Sequence, residues 1–290
     1  MKITKADSVY YTILDSVYNF GVELETRNHR VKSMIALGTY FFDQCPLVTV
    51  RKTAYMKALR EMEWFMSGND KCPDELLDWW DGQLNHCGYY INGYATQFRR
   101  HSGYYDQVEF ILNGLISNPN SRRLVMTAWH PGNMENITQS NNNKDCPTTC
   151  HSTIIQFFVR NKYLFMSCYQ RSADVLLGLP HNFVQSWGML MYFAHHANLN
   201  VGGMYYTIGD AHIYLHKSHT DVVENIISYC ERDSLLNNVV DNSFELCYNP
   251  SVKTDSGSFN GFVPNFLAMD FSMTGKIPYA IIQSQRPIRF

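Results

Sequence analysis

Apolar residues recur at helical spacing over 8–22, 54–66, 105–117 and 183–197, and with less contrast over 218–232. The second of these segments follows Pro46-Leu47-Val48-Thr49-Val50 and stops at Ser67-Gly68-Asn69-Asp70, a glycine C-cap running into a loop. Runs of β-branched and aromatic residues predict strands at 124–128, 153–159, 163–169 and 204–208. Arg160-Asn161-Lys162, between two of them, reads as a hairpin turn. Helices and strands mix without strict βαβ alternation, which predicts an α+β fold built on one large sheet. No internal repeat breaks the chain. The polar stretch 136–144 reads as a surface loop rather than a linker, leaving residues 1–290 as one domain.

At 45% hydrophobic and 14% aromatic, 290 residues can fill a sizeable core. The formal net charge of −2 comes from interspersed Lys, Arg, Asp and Glu. Without a basic arm or stripe, duplex DNA is a poor partner, and any nucleotide bound is expected to be small rather than a nucleic-acid polymer. No apolar run approaches roughly 18 residues, and MKITKADSVYYTILDS lacks a signal-peptide core. The expectation is therefore a cytoplasmic protein without a membrane partner. Eight cysteines are scattered with no CxxC pair, which predicts buried thiols in a reducing compartment rather than a structural zinc. His212, His216 and His219 have no acidic partner at a familiar ligand spacing, so no metal is expected.

Candidate chemistry concentrates in residues 146–186. Cys150 sits beside His151, and a thiol is a useful nucleophile only as a thiolate next to a base or a positive charge. One predicted strand ends in Tyr169-Gln170-Arg171-Ser172, followed by Asp174, a Gly-Leu-Pro turn and Asn182. Burying a cation without partners is costly, so this cluster at a strand end predicts an anion or nucleotide site. Arg122 and Arg123 precede another strand, and guanidinium groups fork around phosphate. Glu61 and Glu63 lie on a strongly apolar helix, about 200° apart, so only one can face the core. An inward glutamate would be a general acid/base of raised pKa, whereas the pattern alone favours two half-exposed carboxylates.

These residues match a family. Cys150-His151 with Gln156-Phe157 resembles thymidylate synthase. So do Tyr169-Gln170-Arg171-Ser172-Ala173-Asp174-Val175, Leu177-Gly178-Leu179-Pro180 with Asn182, and Gly209-Asp210-Ala211-His212-Ile213-Tyr214. Pro119-Asn120-Ser121-Arg122-Arg123 and Pro46-Leu47-Val48-Thr49 also fit, and the blocks occur in family order over roughly residues 46–214. The same superfamily contains the deoxypyrimidine monophosphate hydroxymethylases.

The resemblance implies a large mixed sheet packed with helices, whose open face forms a homodimer interface. It implies that Cys150 adds to C6 of dUMP and that C5 then takes the one-carbon unit of 5,10-methylenetetrahydrofolate. Glu61 would serve the proton transfers, with Tyr94 supporting proton abstraction from C5 and His151 beside the nucleophile. Gln170, Arg171 and Ser172 would line the nucleotide, the last two holding its 5′-phosphate with Arg122 and Arg123 of the other subunit. His212 and Tyr214 would bond the deoxyribose. Asp174, Gly178 and His181 would line the folate side with Trp80 or, alternatively, Trp79. Asn182 would choose the base. A carboxamide can accept from uracil N3–H while donating to O4, whereas cytosine presents the opposite pattern. Cytosine-specific relatives carry Asp at this place, so the implied substrate is dUMP.

Three positions depart from the pattern. The N-terminal phosphate loop, Arg-Thr-Gly in the family, reads Glu25-Thr26-Arg27-Asn28-His29-Arg30, leaving Arg27 or Arg30, with Arg27 favoured. His181 replaces the usual Phe before the amide, and the chain extends past the usual short apolar tail. These departures bear on whether hydride, giving dTMP, or water, giving a 5-hydroxymethyl nucleotide, completes the reaction, because closure that excludes water favours hydride. They suit a virus that makes its own DNA precursors, with the enzyme then in the host cytoplasm.

Overall fold

A computed structural model describes residues 3–26, 29–131, 152–232, 239–250 and 263–278. In chain order these form β1 (Ile3–Thr4), α1 (Lys5–Phe20), β2 (Val22–Glu25), β3 (Arg30–Ile35), β4 (Thr39–Phe42) and α2 (Tyr55–Ser67). Next come a short turn of helix α3 (Leu77–Trp80), α4 (Tyr94–Arg100), α5 (Gln107–Ser117), β5 (Val125–Met126), β6 (Ser152–Arg160) and β7 (Tyr163–Asp174). They are followed by α6 (Leu179–His196), β8 (Asn200–Tyr214), α7 (Lys217–Glu231), β9 (Val239–Val240), β10 (Phe244–Tyr248) and β11 (Phe271–Gly275).

The large sheet runs β2-β3-β8-β7-β6-β5, with β4 also paired to β8. It is mixed: β7 and β8 are parallel and the other pairs antiparallel. Parallel neighbours need a crossover, and α6 supplies it. Along β7, Leu164, Met166, Cys168 and Gln170 are buried while Tyr163 and Tyr169 are exposed, the period-2 signature of a strand with one covered face. The opposite face carries exposed Phe41, Ile154, Tyr169 and Tyr205. The core is one continuous cluster between the covered face and helices α1, α2, α5, α6 and α7.

Local chemistry explains the element ends. Thr4 and Asp7 form a reciprocal capping box at the start of α1. Asp7 is fully buried, and its carboxylate also accepts from the Thr49 backbone and hydroxyl and from Val50 N–H at 3.0 Å. These bonds satisfy a charge that burial would otherwise disfavour, and they pin the 46–50 segment in front of α2. Helix α2 ends where Gly68 takes φ of +78°, as the glycine signal predicts. Asn161 and Lys162 both have positive φ, and Arg160 pairs with Tyr163, so the hairpin turn is a two-residue one whose twist matches the strands.

Two strands outrun their sequence signal. The 163–169 strand continues to Asp174 and the 204–208 strand spans Asn200–Tyr214, so Arg171, Ser172 and His212 lie inside strands and not past their ends. Each supplies the other with ladder bonds up to the Asp174–His212 pair, which carries polar residues that hydrophobic patterning reads as loop. Conversely, 124–128 shortens to Val125–Met126. The 136–144 loop and the C-terminal extension lie outside the described residues.

Candidate active site

Glu61 is the inward carboxylate of α2, only 9% exposed, whereas Glu63 on the other side pairs with Arg60 at 2.8 Å. The reading of two half-exposed carboxylates is therefore overturned, because the helix packs Glu61 between α3 and α6. Trp80 donates its indole N–H to Oε1 of Glu61, and Gln185 donates an amide N–H to Oε2. Burial pushes the Glu61 carboxyl up to about 7, against the opposing pull of Trp80, Gln185 and the Lys57 charge. A carboxyl poised there exchanges protons readily near neutral pH.

The two tryptophans separate. Trp80 is buried, packed edge-on against Trp64 and Phe65, and its N–H is committed to Glu61. Trp79 is partly buried and lies 4.8 Å from the His181 ring, with the Lys57 ammonium 4.9 Å from its own centroid. His181 donates from Nδ1 to the Leu177 carbonyl at 2.8 Å and accepts at Nε2 from the Ala54 N–H at 3.3 Å. Burial, helped by the Arg51 charge, lowers its pKa to about 3, so the ring is neutral. Both ring nitrogens are thus used internally, and His181 presents a flat neutral face.

Asn182 stands in the first turn of α6, where its N–H bonds the Gly178 carbonyl at 3.0 Å. Asp174 accepts from the Leu177 N–H at 2.9 Å and, through its carbonyl, from the Gly178 N–H at 3.1 Å. Asn182 Oδ1 accepts from Gln170 Nε2 at 3.0 Å, and its Nδ2 donates to Gln185 Oε1 at 3.0 Å. Gln170 donates also to the Ser172 carbonyl at 2.9 Å and accepts from the Tyr206 hydroxyl. A chain of polar groups therefore runs Tyr206, Gln170, Asn182, Gln185, Glu61, Trp80 through an otherwise apolar core.

Beside it the β7–β8 pairing places Ser172 opposite Asp210 and Asp174 opposite His212. The Ser172 hydroxyl lies 3.5 Å from His212 Nδ1, and His212 lies 3.6 Å from Asp210. Asp210, which also accepts from Ser33 at 2.9 Å, is held below the usual carboxylate range chiefly by His212. Tyr214 meets the His212 ring edge-on at 5.4 Å. The Arg171 guanidinium sits 5.3 Å over the Trp129 ring, and its buried Nε has no partner among the described residues.

Tyr94 of α4 stacks at 4.3 Å on Phe65, which lies one turn after Glu61 on α2. Arg122 and Arg123 are exposed next to β5. Arg30 is held by Glu23 and Glu25 across the β2–β3 hairpin. Cys150, His151 and Arg27 lie outside the described residues. Strand β6 begins at Ser152, two residues after Cys150, and pairs there with Gln170. Four residues of the site escaped the sequence reading: Gln185, Tyr206, Trp129 and Arg51. Arg51 is 1% exposed, bonds the Leu176 carbonyl, and leaves a buried Nε without a partner among the described residues. A charge straight after the apolar run 47–50, and an amide three residues after Asn182 in an apolar helix, were the available signals.

No helix among the described residues is long and apolar enough to cross a membrane. A profile of the thymidylate synthase family matches residues 8–243, which take in every site residue named above. Fold and match together define an enzyme class: folate-dependent transferases that place a one-carbon unit on a deoxypyrimidine nucleotide. The chain belongs to the thymidylate synthase family.

Proposed function

We propose that the protein is a thymidylate synthase in the strict sense, converting dUMP to dTMP as a homodimer of single-domain chains. The observation that carries this reading is Asn182. Its Oδ1 and Nδ2 each make one bond within the chain, to Gln170 and Gln185, and each retains one further bonding position. A lone pair beside an N–H suits uracil N3–H and O4. Arg171, Ser172 and His212 gather a cation, a hydroxyl and an imidazole beside it, as the phosphate and sugar of a nucleotide require. Cys150 is the nucleophile in this reading. Glu61, near 7, gives and takes the protons.

The folate fits the residues present. The half-buried Trp79 and neutral His181, their rings tilted 59° to each other, offer aromatic surface for a ring system, next to Asp174 and Gly178. When bound, methylenetetrahydrofolate supplies the one-carbon unit and the reducing hydride. His181 satisfies its own nitrogens within the chain, so the replaced Phe adds no water-binding group, and this favours the hydride outcome over hydroxymethylation. The apolar face bearing Phe41, Ile154, Tyr169 and Tyr205 supports a second copy packed across a two-fold axis, with exposed Arg122 and Arg123 reaching the partner's phosphate site.

Incubation with dUMP and methylenetetrahydrofolate tests the reading. Dihydrofolate followed by absorbance, with dTMP identified by mass, is the expected result. Hydroxymethyl-dUMP with tetrahydrofolate retained would make the protein a hydroxymethylase instead.

A further inference from the structure

The polar chain through the core has a direction. An indole N–H can only donate and an ionised carboxylate can only accept, so Trp80 and Gln185 both point hydrogens at Glu61. Once Gln185 spends its N–H there, its carbonyl is what faces Asn182, 3.0 Å away. From the other side Gln170 is equally committed. Its N–H groups meet the Ser172 carbonyl at 2.9 Å and Asn182 Oδ1 at 3.0 Å, and its carbonyl receives the Tyr206 hydroxyl. Turning the Asn182 amide over would set its N–H against the Gln170 N–H and its oxygen against the Gln185 carbonyl. Two like-polarity contacts would replace two hydrogen bonds in a buried site.

That forbidden orientation is the one a cytosine edge needs. An asparagine free to turn over could donate to cytosine N3 and accept from its amino group, and so would discriminate poorly. We propose that Gln185 is a positioning residue that locks Asn182 in the uracil-reading orientation and ties that lock to Glu61, an inference that rests on the proposed use of a uracil nucleotide. Gln185 is 4% exposed, and a buried amide without such a task would be costly. The coupling has a second consequence. Both groups that hydrogen-bond Glu61 are donors, so a proton taken up by Glu61 must sit on a lone pair that they leave free or displace one of them. Of the titratable groups around it, Lys57 lies one turn back on α2, and the Cys72 thiol is pushed up to about 12, first by burial and then by Glu61 itself, and stays protonated.

Two substitutions separate the two bonds. Gln185→Met keeps length and apolar packing but removes both. Gln185→Glu keeps an acceptor facing Asn182 and exchanges the N–H donor for a second carboxyl that must share one proton with Glu61, which raises the pair's pKa. Binding of dUMP and dCMP, without folate, is measured by calorimetry, and the pH profile of kcat is recorded for each protein, with folding checked by thermal unfolding. For Gln185→Met the dUMP:dCMP affinity ratio is expected to fall roughly tenfold, the scale of one buried hydrogen bond. Its acidic limb should move to higher pH, because a donor holding Glu61 down is gone. Gln185→Glu should keep the ratio and show only the pH shift, a split that a purely structural role would not produce. A folded Gln185→Met protein that keeps the wild-type ratio overturns the inference. So does a Gln185→Glu protein that loses the ratio, which decides the matter alone if Gln185→Met does not fold. A wild-type protein that binds neither nucleotide overturns the proposed function itself, whatever the variants do.

Discussion

Trp80 gives its indole N–H to Oε1 of Glu61, a carboxyl on a different helix and 19 positions earlier in the chain. The bond stabilises the charged form of a group that burial drives toward the neutral one. Trp80→Phe keeps the packing and deletes the donor. The Glu61 pKa should then climb above 7 by about one unit, the scale of a lost charge-assisted bond. The fraction of enzyme with ionised Glu61 at pH 7 falls accordingly. Activity at pH 7 should drop several-fold, roughly three to ten, and recover above pH 8. A kcat profile unchanged in position would disprove the role given to this bond.

His181 makes stability depend on pH with a definite sign. Its pKa is near 3 in the folded protein, whereas an unfolded chain titrates near the ordinary 6.5. Below pH 6.5 the unfolded chain binds a proton that the folded protein refuses, so stability falls as pH falls. Between pH 7.5 and 5 the wild type should lose about 2 kcal/mol that His181→Phe does not lose. Denaturant midpoints at the two pH values measure the difference. Parallel pH dependence in both proteins would rule it out.

Asn182→Asp should move base preference toward dCMP, since a carboxylate can accept from the cytosine amino group. The new oxygen also meets the Gln185 carbonyl where an N–H had been, which weakens binding of both nucleotides. Competition binding should show dUMP losing at least about tenfold more than dCMP. Uracil preference that survives the change would remove Asn182 as the selector.

Gly209 tests the parallel strand pair that carries Arg171, Ser172 and His212. A Cβ there would lie 2.5 Å from the Tyr169 hydroxyl and 2.7 Å from the Arg171 carbonyl, and the second is backbone that cannot step aside. Gly209→Ala should destabilise by about 1–3 kcal/mol and weaken dUMP binding, because the strand that bears Arg171 and Ser172 must shift. Thermal unfolding and calorimetry read the two effects separately. A variant as stable as wild type would mean the two strands separate more easily than their geometry implies.

Helices α1, α2, α5, α6 and α7 were legible because each presents an apolar stripe long enough to show its period. Helix α4, the turn of α3 and the short strands β2, β4 and β9 were not, since so few residues carry no period. The site was legible where polar residues stand against an apolar background, as at Arg171, Ser172 and Asn182. It was illegible where a polar residue is explained only by a distant partner. Gln185 looks like an accident in an apolar helix until Glu61, 124 positions away, is beside it. Arg51 reads as the end of an apolar run, yet it is buried because Asp7 draws residues 49 and 50 inward.

Residue types and their order determined the family, the α+β class and the presence of an amide at 182, because these depend on local pattern and on side-chain chemistry. Only the tertiary structure decided that Glu61 and not Glu63 turns inward, that Trp80 is the tryptophan bound to it, and that Asn182 cannot turn over. Each of those outcomes depends on which donor meets which acceptor after the helices pack on the sheet. Hydrogen-bond polarity acts over about 3 Å in space, and sequence separation does not encode that distance.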